Sequence, residues 1–128
     1  MGAIRLARVH DPRAEGTGRR FLVERLWPRG VRRDDLPLDG WPKDVAPSTE
    51  LRRWFGHDPQ RWAEFRRRYL AELEASPEAV RPLLDAAHAG DVTLLYSARD
   101  REHNSALVLR DHLLARLAEN SSTNDDRF

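Results

Sequence analysis

Arg25 and Arg29 stand four residues apart around Trp27-Pro28. Two guanidiniums at that spacing can clamp a phosphate or carboxylate through paired N–H groups. Ser48 and Thr49 open a stretch of helical pattern, where free backbone N–H groups and the positive end of a helix dipole suit an anion. Lys43 lies just upstream of them as a further cation. A third group, Tyr96-Ser97-Ala98-Arg99-Asp100, follows the most apolar run of the chain and leads into His103 and Asn104. Trp27 and Tyr96 offer flat faces on which a planar group can stack. His103 can act as a general acid or base, and Asp100 three residues before it can share a helix face with it, so the two form a candidate acid–base pair. Together these residues predict a site for an anionic small molecule. Arg25, Trp27, Arg29, Lys43, Ser48, Tyr96 and Asn104 would bind it, and His103 with Asp100 would serve hydrolysis or group transfer. No cofactor and no required metal are expected.

Each of these residues also has a plainer role. Arg25 can pair with Glu24, Asp44 or another buried acid, Trp27 can be core, and Ser48 and Asp100 are good helix N-caps. Other chemistries find little support. The chain has no cysteine, which excludes disulfides, thiolate nucleophiles and Cys-type zinc sites. It has no Gly-rich phosphate loop, no His-Glu-x-x-His and no nucleophile elbow around Ser48 or Ser97. His103 and His112 are nine residues apart, about half a turn out of phase on a helix, and cannot share a metal.

The elements that must position these groups follow from the apolar pattern. Ile4 to Val9, Phe21 to Leu26 and Val92 to Tyr96 read as strands. Gly40 to Val45 is a candidate third strand that Pro42 confines to an edge or a short length. One helical turn is expected near Arg33 to Leu36. Ser48 starts a helix that Gly56 stops, and Asp58-Pro59 starts the next, with Trp62, Phe65, Tyr69 and Leu73 as its apolar stripe. Ser76-Pro77 starts a third helix, in which Pro82 predicts a kink or a late start. Asp100 is the expected cap of the last helix, with Ala106, Leu109, Leu113 and Leu117 along one face. Strands separated by helices predict an α/β fold, a small and mainly parallel sheet with helices packed on it, as a single domain over residues 1–118. Residues 119–128 read as a disordered polar tail. Ligands of such sheets bind beyond the carboxyl ends of the strands, which is where the three chemical loops fall.

Length and charge bound the rest. The chain has 128 residues and a formal net charge of +1, the size of one domain able to bury a core unaided. No apolar run approaches the roughly 20 residues of a membrane helix and no signal-like segment opens the chain, so a cytoplasmic protein without membrane contact is expected. Residues 1–33 carry nine Arg against three acids. With Arg52-Arg53, Arg61 and Arg66 to Arg68 they support an alternative, a nucleic-acid-binding or regulatory module. Lys43 is the one lysine beside 21 arginines, a bias that coding composition also produces, and Glu64 to Arg68 is an i, i+4 pair of the kind found on solvated helix faces. A non-enzymatic structural or interaction protein is the other alternative. Nothing in the residues speaks to oligomeric state.

Val23-Glu24-Arg25-Leu26-Trp27-Pro28-Arg29-Gly30, Ala46-Pro47-Ser48-Thr49-Glu50-Leu51-Arg52, Trp54-Phe55-Gly56-His57-Asp58-Pro59 and Val92-Thr93-Leu94-Leu95-Tyr96-Ser97-Ala98-Arg99-Asp100 with Glu102-His103-Asn104 resemble the YeaO-like branch of the family called domain of unknown function 488. The resemblance spans about residues 4–117 and implies a small bacterial α/β domain without an established reaction. Glu24 stands where the family usually has Asp, Pro42 where it has a strand-compatible residue, and Arg99 where Lys is common. The family's motifs coincide with the three loops.

Overall fold

The computed structural model describes residues 2–11 and 18–125. Three strands, β1 (Ile4–Arg8), β2 (Arg19–Leu22) and β3 (Val92–Tyr96), form one sheet in the order β1-β3-β2, with both pairings parallel. Ile4 and Arg19 flank Val92, and Arg8 flanks Tyr96, so all three strands end at the same edge. Four helices follow the sequence signals: α1 (Thr49–Phe55), α2 (Trp62–Ala75), α3 (Pro77–Ala89) and α4 (Ser105–Asp125). The result is a single α/β domain.

Strand alternation sorts side chains onto two faces. Ile4, Phe21, Val23, Val92, Leu94 and Tyr96 enter the larger core with the apolar stripes of the helices, including Phe65, Tyr69, Leu83, Leu109 and Leu113. Val9, Leu22 and Leu95 point the other way, where Leu36, Trp27, Val31, Leu38 and Trp41 of the long connector cover them. β3 is buried along its whole length because it is the central strand with both faces covered.

Several boundaries differ from the expectation. β2 begins at Arg19 and ends at Leu22. Its polar start is stabilised from outside the strand: the Arg20 N–H donates to Asp39 at 2.7 Å and its guanidinium to the Pro37 carbonyl at 3.2 Å. Gly40 to Val45 is no strand. Gly40 alone forms a bridge to Phe21, and Lys43–Val45 is a 3-10 turn. A Cβ on Gly40 would lie 2.9 Å from the Phe21 ring, so the close approach requires glycine. Arg33–Asp35 forms the expected short turn. α1 ends on Gly56, which adopts a φ of 54° and donates its N–H to the Arg52 carbonyl. Asp58 accepts from the Gln60 N–H and opens a 3-10 turn that precedes α2. α3 starts at Pro77 without delay and carries Pro82 inside it. The ring is exposed there, so the carbonyl four residues back that loses its donor can turn to water. The last helix is capped by Asn104, whose Oδ1 accepts from the Leu107 N–H at 3.1 Å, while Asp100 lies five residues before Ser105. α4 is assigned through Asp125, into the segment whose composition marks a polar tail, and residues 126–128 lie outside those described. Most of the expected loop from Arg13 to Arg19 lies outside them too. Among the described residues no helix is long and apolar enough to cross a membrane.

One core group carries a pH dependence. His112 of α4 is buried, and its Nε2 has no hydrogen-bond partner among the described residues. Burial holds its pKa below the ordinary value. Arg116 acts in the same direction, while Glu74 on α2 and Glu119 act against it. The unfolded chain therefore binds the extra proton first as pH falls below about 6.5. The stability tied to the neutral ring is complete above that pH and is lost as pH falls through the lowered folded value. Thermal unfolding should show this acid-side loss, and His112→Leu should lessen it. Equal pH slopes in both chains would place its origin elsewhere.

Candidate functional site

The ends of β2 and β3 open onto one pocket of 320 Å³. Its walls come from segments far apart in sequence. The loop after β2 supplies Glu24, Arg25, Trp27, Pro28 and Arg29, and the segment before α1 supplies Ala46 and Pro47. Arg52, Phe55 and His57 come from α1 and the turn after it, Phe65 from α2, and Tyr96, Ser97, Ala98, His103 and Asn104 from the loop between β3 and α4.

Glu24 and Arg25 lie in the bend just past β2 and engage different partners. The Ser97 N–H donates to the Glu24 carboxylate at 2.6 Å, and the Ser97 hydroxyl lies 2.8 Å from both of its oxygens. This bond ties the ends of β2 and β3 together just past Val23, whose N–H donates to the Leu95 carbonyl. Arg8 closes the other side, donating to the carbonyls of Ala98 at 2.8 Å and Ser97 at 3.3 Å. Arg101 pairs with Asp11 at 2.8 Å and, with the Arg8 N–H, holds that carboxyl below its usual range.

Among the described residues Arg25 makes none of the ion pairs open to it in the sequence. Its Nε and one terminal nitrogen donate to the carbonyls of Pro47 and Ala46, which aligns the guanidinium in the wall and leaves three of its five N–H groups uncommitted by these two bonds. Arg29 and Arg52 are exposed at the pocket rim. Neither side chain has a hydrogen-bond or ion-pair partner among the described residues. Trp27 is both wall and core: its Nε1 donates to the Val31 carbonyl at 2.7 Å, its ring meets Trp41 edge-on at 5.5 Å, and the Arg33 guanidinium lies 4.6 Å from its centroid. Tyr96 is buried against the pocket floor.

His103 and Asp100 meet as a pair, Nδ1 to Oδ2 at 2.9 Å, but in a turn ahead of α4 and not on a helix face. Asp100 also accepts from the N–H groups of Glu102 and His103, and these bonds hold its carboxyl below the usual range, the Glu102 bond foremost. With Nδ1 turned to the carboxylate, the ring's Nε2 is the nitrogen left to act. The ring stands edge-on to Trp62 at 5.4 Å. Asn104 is largely engaged by the fold, capping α4 and donating to the Asp100 carbonyl.

Two of the expected binding residues lie elsewhere. Ser48 caps α1, and its N–H and hydroxyl both donate to the Glu72 carboxylate, at 2.9 and 2.6 Å. A carboxylate of the chain itself thus occupies this helix start, which lies in a separate 290 Å³ pocket behind Arg25. Lys43 is exposed, with its ammonium 4.1 Å from the Trp41 ring centroid. Arg52 and His57 were not among the expected site residues. His57 has a φ of 58°, directly after Gly56 at 54°, a conformation that costs a non-glycine residue on the order of 1 kcal/mol or more. It places the ring at the mouth of the pocket. The basic run on α2 is largely self-paired. Arg67 and Arg68 both donate to Glu64, at 2.6 to 2.8 Å, and pull its carboxyl down to about 2. Among the described residues no group of three or more His, Asp or Glu is placed to hold a metal ion.

Comparison with known proteins gives a family without a reaction. The family described as "Inactive DUF488-N3 subclade" matches residues 3–127. The uncharacterized protein YeaO of Escherichia coli (strain K12) is 47% identical over 110 residues, covering 86% of this chain and 96% of that protein. The uncharacterized protein Rv3073c of Mycobacterium tuberculosis (strain ATCC 25618 / H37Rv) is 41% identical over 113 residues, 88% of this chain and 95% of that one. No solved structure matches the chain significantly.

Proposed function

The chain belongs to the DUF488 family, within the subclade described as inactive, and on that premise we propose that the strand-end pocket binds an anionic small molecule. One observation carries the reading. Arg29 and Arg52 stand without a partner among the described residues on a concave, partly aromatic wall beside Arg25, and the pocket's single carboxylate, Glu24, is already hydrogen-bonded to Ser97. Unpaired guanidiniums around a largely apolar hollow suit a phosphate or carboxylate whose remaining part is apolar. The description of the subclade favours binding over turnover. A second reading rests on the His103–Asp100 pair, in which the carboxylate orients the ring for proton transfer in hydrolysis or group transfer.

A thermal-shift screen tests the reading. It would compare inorganic phosphate, sulfate, nucleotides, sugar phosphates, simple carboxylates and short oligonucleotides at low and physiological salt. A ligand at about 100 times its Kd adds roughly 2.7 kcal/mol, hence a rise of several degrees for a domain of this size. The expected result is such a rise with a small anion, persisting at physiological salt. A rise confined to oligonucleotides at low salt would move function to the arginine-rich surfaces. No rise with any anion would leave the polar rim a purely structural network.

A further inference from the structure

We propose that the ligand of this pocket is a dianionic phosphate monoester of a small planar group. The inference rests on the pocket being an anion site and narrows the class of anion. The argument is one of charge, donors and size. Apart from the two histidines, the charged side chains of the wall are Arg25, Arg29, Arg52 and Glu24, which sum to two positive charges. A carboxylate or a phosphodiester brings one negative charge and would leave a guanidinium unmatched in the hollow. A phosphate monoester carries about −1.5 to −2 near neutrality and three acceptor oxygens, which matches the charge and can engage forked donors from more than one arginine.

The donors are in the right condition for this. The Arg29 and Arg52 side chains have no partner within the described chain, so no existing ion pair must break when a ligand arrives. Arg25 is aligned by the carbonyls of Ala46 and Pro47, so part of its ordering cost is met before binding. The Glu24 oxygens are engaged by the Ser97 N–H and hydroxyl, so they compete with a phosphate for none of the arginine donors. The rest of the wall is aromatic and aliphatic, chiefly Trp27, Phe55, Phe65 and Tyr96, and calls for a flat apolar group beside the phosphate. A volume of 320 Å³ is at the lower end of ligand pockets. It suits one ring with its phosphate and is too small for a dinucleotide.

Calorimetric titration of the intact chain at physiological salt would use four probes: phenyl phosphate, its methyl diester, benzoate and inorganic phosphate. At about pH 7.5, phenyl phosphate is expected to bind at least about 10-fold tighter than each of the others. Its advantage over the diester should shrink near pH 5, where the monoester regains its second proton. Arg52→Ala should reduce the advantage with the melting temperature unchanged. If the diester or benzoate binds as well as phenyl phosphate, the dianion assignment is wrong although the anion site stands. Equal binding of inorganic phosphate would remove the planar group. If no probe binds, the anion site itself fails.

Discussion

Replacing Arg29 and Arg52 together by alanine is expected to weaken binding of an anionic ligand by roughly 10² to 10⁴, with little change in thermal stability. The magnitude follows from the donors lost. A hydrogen bond to a charged group contributes about 1.5–3 kcal/mol, and every 1.4 kcal/mol is about tenfold in affinity. Both side chains are exposed at the rim and unpartnered among the described residues, so their removal breaks no bond of the fold, and surface changes of that kind usually stay within about 0.5 kcal/mol. Arg25 is a poorer choice for this test. It also holds the segment before α1 through Ala46 and Pro47, so its loss would mix folding with binding. Arg29→Lys separates charge from geometry: it keeps the charge but not the planar fork, and should recover only part of the affinity. Calorimetry and melting curves on the same preparations read both effects. Binding that survives the double substitution would remove the arginines from the site.

Phe65→Ala is expected to cost about 3–5 kcal/mol, which lowers the melting temperature by roughly 10 °C or more. Phe65 is 2% exposed. Its ring stacks on Phe55 at 4.3 Å and on Trp62 at 5.8 Å, with Tyr69 at 5.9 Å, so this aromatic column joins α1 to α2 beneath the pocket. Tyr69 fixes the same layer from below, its buried hydroxyl donating to the Val45 carbonyl. Truncation at Phe65 removes the transfer energy of a ring and leaves a cavity that opens into the pocket wall. Phe65→Leu should cost much less, because most of the volume is kept. Denaturant unfolding measures both. A loss under about 1 kcal/mol for the alanine variant would show that the column does not bear on stability.

The sequence shows the sheet and helices where the local pattern decides them. β3 is an unbroken apolar run because it is central, and α1 is bracketed by Ser48 and Gly56, whose capping bonds are present. Where distant residues decide, the pattern misleads. β2 starts at Arg19 because Asp39 and the Pro37 carbonyl hold Arg20, and no window around Arg19 contains that information. Parallel strands place the loops after β2 and β3 on one edge with the segment before α1, and the strand-end rule selects these three loops without knowing their contacts. It could not show that Glu72, 24 residues past Ser48, has its carboxylate on that helix start. Arg52 and His57 are not legible as pocket residues for the opposite reason. Each reads as an ordinary exposed residue on a helix or in a turn, and only the packing of α1 beside the strand ends brings them to the pocket rim. A signal was nonetheless present, since both lie within the motifs that carry the family resemblance.

The most direct test of an anion site at the strand ends is a ¹H–¹⁵N chemical-shift map of the intact chain titrated with phenyl phosphate at physiological salt. Saturable shifts are expected together at residues 25–30, 46–57 and 96–105, the three segments that meet at this pocket, and they should vanish in the Arg29→Ala, Arg52→Ala double variant. Shifts centred on Arg66 to Arg68, or an unchanged spectrum, would contradict it.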